Sequence, residues 1–282
     1  MPSRNLRTVL PNLIVIGAAK CGTTSLHEYL DEHPQIAMSR EKELHFFVDR
    51  KNWGRGLEWY ESQFDATAPV RGESSPDYSA YPLYQGVAER MAATIPDARL
   101  VYLVRDPVER VVSHYTHRTV NWPEMGTIDE TLADPQLRKW LVTPSRYWLQ
   151  LEQYLGHFSA EQILVVDSDE LRASLPRIFE FVGVDPSFES AGFERVHNAG
   201  TGRTRRKGTG EAISTLLERT LGPDLSQTLR ERTPEALKSP FRYEAEPAVL
   251  PDELRAELED ELRDDAEKLR AHTGLAFAGW SI

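Results

Sequence analysis

Sulfur is scarce in this sequence: 282 residues hold one cysteine, Cys21, and four methionines. A lone cysteine excludes any disulfide within the chain and suits a reducing compartment. Long apolar runs are missing too. None approaches the roughly 20 residues that a membrane-spanning helix needs. The opening stretch MPSRNLRTVLPN lacks the apolar segment of a secretory leader. The expectation is a soluble, cytoplasmic protein without membrane insertion. Positive charge is in deficit, with 33 Lys and Arg against 44 Asp and Glu, net −11. That balance argues against general binding to nucleic acid or acidic membrane. It leaves room for a local basic cluster that grips a small anion. Internal repeats and low-complexity linkers are also absent, and at this length one large α/β domain, 1–282, outranks two.

Three apolar, β-branched runs are present and read as buried strands: LIVIG (13–17), RLVYLV (99–104) and ILVVD (163–167). Stretches of helical period separate them, which predicts a central parallel sheet flanked by helices. Helices are expected over 23–32, 107–118, 146–157, 170–182 and 251–273, the last a charged surface helix with Leu254, Leu258, Leu262 and Leu269 on one side. Proline and glycine make 119–145 a region of loops and short helices. The segment NAGTGRTRRKGTG (198–210) reads as a mobile basic loop.

The first strand runs into GAAKCGTTSL (17–26). A strand, a glycine-rich turn and a helix N-terminus together form an anion site, because backbone N–H groups and the helix dipole converge on one place. Gly17 and Gly22 permit tight turning, Thr23, Thr24 and Ser25 offer hydroxyls, and Lys20 offers a point charge. The nucleotide triphosphatase pattern places its lysine directly after the second glycine. Here Thr23 stands there, and Lys20 lies inside the loop. No acidic strand end of the usual metal-binding kind is evident; VVDSDEL (165–171) comes nearest. No metal is expected. A phosphate loop with a lysine and no metal acid suits a transferable group less charged than phosphoryl, such as sulfuryl.

NLIVIGAAKCGTTSL resembles the 5′-phosphosulfate loop of the sulfotransferases that use 3′-phosphoadenosine 5′-phosphosulfate (PAPS), bacterial members and those of the heparan-sulfate type included. The resemblance implies a P-loop-like sulfotransferase fold with its core over about 12–200. It implies that Lys20, Cys21, Gly22, Thr23, Thr24 and Ser25 hold the phosphosulfate and that Lys20 stabilises the leaving phosphate. YLVRDPVERVVSHYTHR (102–118) is similar to the family's 3′-phosphate motif, which carries over to Arg105 and Ser113. Arg110 also matches, either as a ligand or as a structural ion pair. The basic loop would cover the cofactor, with Arg203 as its contact.

REKELHFF (40–47) resembles the family segment that holds the acceptor base. Glu43 is implied as general base and His45 as auxiliary; two apart, they share a side if the run is extended. RGESSPDYSAYP (71–82) is similar to a third family segment, with Ser74 where the family has lysine. Ser74 and Tyr78 are the expected acceptor-binding residues. The expected activity is in-line sulfuryl transfer from PAPS to a hydroxyl or amine of a small-molecule, sugar or lipid acceptor, releasing adenosine 3′,5′-bisphosphate. Two competing readings are a P-loop nucleotide kinase and a catalytically silent nucleotide-binding protein.

Overall fold

Five parallel strands form the centre of the computed structural model, which describes residues 9–121, 125–194, 204–206, 242–244 and 248–282. They are β1 (Leu13–Gly17), β2 (Ile36–Met38), β3 (Val70–Ser74), β4 (Arg99–Val104) and β5 (Ile163–Asp167), in the order β2-β3-β1-β4-β5. Leu13 pairs with Gly72 on one side and Arg99 on the other, and Leu100 pairs with Ile163. Every residue of β1 and all but the first of β4 are buried. That double-sided burial is why these strands are continuous apolar runs. The fold matches the expected class, and β1, β4 and β5 have the expected bounds.

Helices cover the sheet: α1 (Thr23–Asp31), α2 (Leu57–Glu61), α3 (Val87–Thr94), α4 (Pro107–Asn121), α5 (Ile128–Ala133), α6 (Pro135–Val142), α7 (Tyr147–Leu155), α8 (Leu175–Val182) and α9 (Asp252–Thr273). Pro107 opens α4, where its missing N–H costs nothing, and Asp106 Oδ1 accepts the Glu109 N–H at 2.9 Å. Leu258, Leu262 and Leu269 of α9 are buried and Leu254 half-buried. The Asp265 carboxylate accepts the N–H groups of Trp148 and Leu149 at the start of α7. Within the expected basic loop, β6 (Thr204–Arg206) pairs antiparallel with β7 (Arg242–Glu244). The rest of that loop, Arg203 included, lies outside the described residues. Among the described residues no helix is long and apolar enough to cross a membrane.

From β1 the chain runs first to one side, building β2 and β3, then to the other, building β4 and β5. The crevice beyond the carboxyl ends of β1 and β4 is therefore the switch point where open α/β sheets bind ligands. Gly17 ends β1 there at φ 152°, and a Cβ on it would lie 1.8 Å from Ser79 Oγ. Gly17→Ala is expected to lower stability by about 1–3 kcal/mol through overpacking. Urea unfolding against wild type measures this.

Candidate active site

One cavity of about 1530 Å³ opens at the switch point. That exceeds the 300–1,000 Å³ or so of an ordinary small-ligand pocket and offers room for two reactants. Its floor is the turn after β1. Lys20 and Gly22 both lie in the left-handed region, at φ 77° and 84°, so the turn reverses tightly into α1. Gly22 caps α1 with no side-chain hydrogen bond, and the first turn holds no acidic residue. The N–H groups of that turn thus face the cavity without an internal carboxylate competing for them. Lys20, Cys21, Gly22, Thr23, Thr24 and Ser25 all line it. Cys21 does so through its backbone, for its thiol is buried against the Tyr147 hydroxyl at 3.6 Å and burial pushes its pKa up.

Two arginines flank the loop. Arg105, just past β4, reaches the Lys20 carbonyl through Nη1 at 3.4 Å, and its Nε is buried without a hydrogen bond. Arg110 is fully buried. It donates to Ser145 Oγ at 2.5 Å, to the Ala19 carbonyl at 3.4 Å and to the Leu141 carbonyl, and meets His114 Nδ1 at 3.4 Å. Among the described residues, neither arginine has a carboxylate at ion-pair distance. The structural ion pair is thus not what Arg110 makes. One fully buried cation and one half-buried cation with an orphaned Nε, neither with a carboxylate among the described residues, are the environment an anionic ligand completes. Ser113, half-buried two turns into α4, lines the same cavity.

Glu43 and His45 enter from the loop after β2. The loop is not extended, so alternation is not what turns both inward. Both residues lie at positive φ, 68° and 48°, a costly conformation for side-chain-bearing residues. The end of β3 imposes it. Glu43 N–H donates to the Ser74 carbonyl at 3.0 Å, His45 N–H to Ser75 Oγ at 3.0 Å and Phe47 N–H to the Tyr78 hydroxyl at 3.4 Å. Behind them, the buried Glu73 carboxylate accepts from Tyr60, Ser75 and Tyr78 at 2.6 to 2.9 Å. Phe46 and Phe47 anchor the loop in the core, Phe46 stacked on Tyr60 with centroids 4.0 Å apart. The Glu43 side chain is 44% exposed and takes Lys42 Nζ at 2.6 Å. His45 Nε2 lies 3.6 Å from its other oxygen, a close electrostatic contact too long for a direct hydrogen bond. The His45 imidazole first, and the Lys42 ammonium, hold the Glu43 carboxyl down at about 2, against burial, which acts the other way.

The sulfotransferase domain family matches residues 10–199. The chain belongs to this family. Heparan sulfate glucosamine 3-O-sulfotransferase 5 of Homo sapiens is 34% identical over 173 residues, 57% of this chain and 49% of that protein. Bifunctional heparan sulfate N-deacetylase/N-sulfotransferase 1 of Caenorhabditis elegans is 29% identical over 183 residues, 60% of this chain and 21% of that protein. The chain therefore spans half or less of the length of these relatives. A crystal structure of a sulfotransferase from Alicyclobacillus acidocaldarius shares the fold, with a TM-score of 0.68 over 96% of this chain and 99% of that one at 24% identity.

Every cavity-lining residue falls inside the matched segment. The structure brings together Lys20 to Ser25, Glu43, His45, Arg105 and Ser113. It does not bring Ser74 or Tyr78 to the cavity surface. Ser74 is fully buried, its Oγ 3.2 Å from His27 Nδ1, and Tyr78 is buried on Glu73. Both stand behind the loop of Glu43 and His45. Sequence reasoning passed over Asp77 and Lys51, which line the cavity joined by a 2.5 Å ion pair. Asp77 sits within the quoted ESSPDYS, whereas nothing local to Lys51 marks it.

His27 and His114 are buried on helices. Burial, and then Lys42, lower the His27 pKa from 6.5 to about 4, and burial lowers that of His114 well below its ordinary value. A depressed folded-state pKa means the unfolded chain binds the extra proton first. Stability is thus complete above about 6.5 and falls as pH drops toward about 4, by roughly 3 kcal/mol for His27 alone. Calorimetric melting across that window should show a shallower decline for His27→Gln than for wild type.

Proposed function

We propose that this chain moves a sulfuryl group from PAPS onto an acceptor hydroxyl or amine and releases adenosine 3′,5′-bisphosphate. The observation that carries the reading is one cavity holding both an uncapped loop–helix anion site, flanked by two carboxylate-free arginines, and an exposed carboxylate, Glu43. The orphaned Nε of Arg105 and the buried charge of Arg110 fit a ligand with more than one anionic group.

Backbone N–H groups of 20–25, the Lys20 ammonium and the hydroxyls of Thr23, Thr24 and Ser25 would hold the 5′-phosphosulfate; Arg105 and Ser113 would hold the 3′-phosphate. Arg203 is proposed as a further contact from the covering segment. When bound, PAPS supplies the sulfuryl group and a phosphate as leaving group. Glu43 takes the acceptor's proton at a carboxylate oxygen. Lys20 opposes the negative charge left on the departing phosphate. Lys20, Arg105 and Arg110 supply the neutralisation that Mg²⁺ gives in triphosphatases, so no metal is needed. Two relatives named for heparan sulfate support a sugar among small-molecule, sugar and lipid acceptors.

Calorimetric titration with adenosine 3′,5′-bisphosphate, and in parallel with ADP plus Mg²⁺, tests the reading. Preference for the bisphosphate is the expected result. Preference for ADP with Mg²⁺ overturns it in favour of a nucleotide kinase.

A further inference from the structure

The cavity continues past Glu43 into a second wing, which contacts trace from residue to residue. Asp77 Oδ2 lies 3.8 Å from His45 Nδ1 and takes Lys51 Nζ at 2.5 Å. That ammonium lies 5.3 Å from the centre of the Tyr84 ring, and Leu83 is the residue before it. On the α4 side, His114 meets Arg110 at 3.4 Å, and its ring centroid lies 4.8 Å from that of Trp140. Leu137 stands about one turn before Trp140 on α6. Leu83, Tyr84, Met125, Leu137 and Trp140 all line the cavity. We propose that this wing holds the apolar body of an uncharged acceptor, an alcohol or phenol whose hydroxyl reaches Glu43, with Leu83 and Leu137 as its specificity-determining contacts. The proposal rests on the reading of the chain as a sulfuryl-transfer enzyme with Glu43 as its base.

Leu83 is 40% exposed and Leu137 37%, two of the five large apolar side chains that the described residues leave exposed. Apolar side chains scattered singly over a surface need no explanation. These two come from separate elements, the segment between β3 and α3 and the helix α6, and open onto one cavity. Tyr84, Met125 and Trp140 of the same lining are half-buried. A mostly apolar wall with a few polar groups at one end is what the body of a small ligand fills. The polar groups here are the carboxylate of Glu43 and the imidazole of His45.

The cations of the wing are already engaged. Lys51 is committed to Asp77. Arg118 donates through Nε to His114 Nε2 at 3.3 Å, and its guanidinium lies 4.6 Å from the centre of the Trp140 ring. Burial lowers the Arg118 pKa and Asp77 raises it, so these opposite charges act on each other. An anionic acceptor would have to draw Lys51 or Arg118 away from these partners and would bring its own charge toward Asp77 and Glu43. A body bearing sulfate, the group in the names of two relatives, is thereby disfavoured in this wing. An apolar body disturbs neither cation and removes leucine, methionine and tryptophan surface from water. Its hydroxyl still meets the base. The acceptor oxygen bonds to sulfur, the sulfur–oxygen bond to the phosphate breaks and its electron pair leaves with the phosphate, and the hydroxyl proton goes to Glu43.

Calorimetric titration of the full chain, saturated with adenosine 3′,5′-bisphosphate, tests the proposal. The probes are 1-octanol, 2-naphthol and an N-sulfated octasaccharide of glucuronic acid and glucosamine. At least one of the two apolar probes is expected to bind more tightly than the octasaccharide. Changing Leu83→Ser and Leu137→Ser together should weaken that binding about tenfold or more, the loss expected when two leucine side chains no longer cover the ligand. Tighter binding of the octasaccharide, no binding of either apolar probe, or unchanged affinity in the double variant each overturns the proposal. Unchanged affinity of the double variant for adenosine 3′,5′-bisphosphate shows that it is folded. A wild-type protein that binds ADP with Mg²⁺ in place of the bisphosphate overturns the sulfuryl-transfer reading instead. The same three probes, titrated into that complex, then decide the apolar wing separately.

Discussion

Arg105→Ala is expected to weaken adenosine 3′,5′-bisphosphate binding about 100-fold or more, with little change in thermal stability. Truncating one side of a buried, hydrogen-bonded charge pair costs about 2–5 kcal/mol, and the Arg105 Nε is a buried donor that nothing in the described protein satisfies. Among the described residues only a weak 3.4 Å contact to the Lys20 carbonyl would be lost, so their fold has little to lose. Arg105→Lys separates charge from shape. It restores a cation but not the planar fork that pairs two donors with a phosphate, so its affinity should fall between the two. Affinity for ADP, which lacks a 3′-phosphate, should drop far less. Calorimetry on the three proteins measures all of this. Wild-type affinity for the bisphosphate in Arg105→Ala would remove Arg105 from the 3′-phosphate site and shift that role to Arg110 or the basic segment.

The strands that were legible in the sequence are those buried on both faces. β1, β4 and β5 announce themselves as unbroken apolar runs because water reaches neither side. β2 has three residues, and β3 reads VRGES, with a buried Gly72, Glu73 and Ser74 that no apolar pattern would suggest. Those residues are buried because three hydroxyls satisfy Glu73, and that arrangement joins residues 13 apart in the chain. The turn after β1 was legible for a related reason: the pattern that marks it lies in the order of Gly17, Lys20 and Gly22, which is local. Glu43 and His45 were legible as residue types in a segment, but not in conformation. Their positive φ is enforced from β3, some 30 positions away. Ser74 and Tyr78 lie deeper than acceptor contacts should, since nothing short of packing says which residues of their segment, Pro76, Asp77, Ser79 and Ala80, line the cavity instead.

Glu43→Gln should abolish sulfuryl transfer while leaving bisphosphate affinity within a few-fold of wild type. A positioned base contributes about 10²–10⁴-fold, and the amide keeps the shape of the carboxylate without its capacity to take a proton. The fold has little stake in the change, because the side chain is 44% exposed and its main-chain anchor, Glu43 N–H to the Ser74 carbonyl, survives. The carboxyl is held down at about 2 by His45 and Lys42, so Glu43 is ionised throughout the ordinary pH range of the free protein. Loss of activity in Glu43→Gln should therefore be uniform across that range rather than confined to acid. The same low value makes Glu43 a weak base before the reactants arrive, and the neighbours that lower it are the means of correcting this. An acceptor that displaces Lys42 and closes the cavity raises the proton affinity of the carboxylate, as removal of a cation and of water must. Lys42→Met should then sit opposite to Glu43→Gln, with turnover retained or increased. Release of adenosine 3′,5′-bisphosphate from PAPS, with an acceptor drawn from a phenol, sugar and lipid panel, measures both variants. Wild-type turnover in Glu43→Gln would sink the assignment of the base and, with it, the reason for a strained loop at that wall of the cavity.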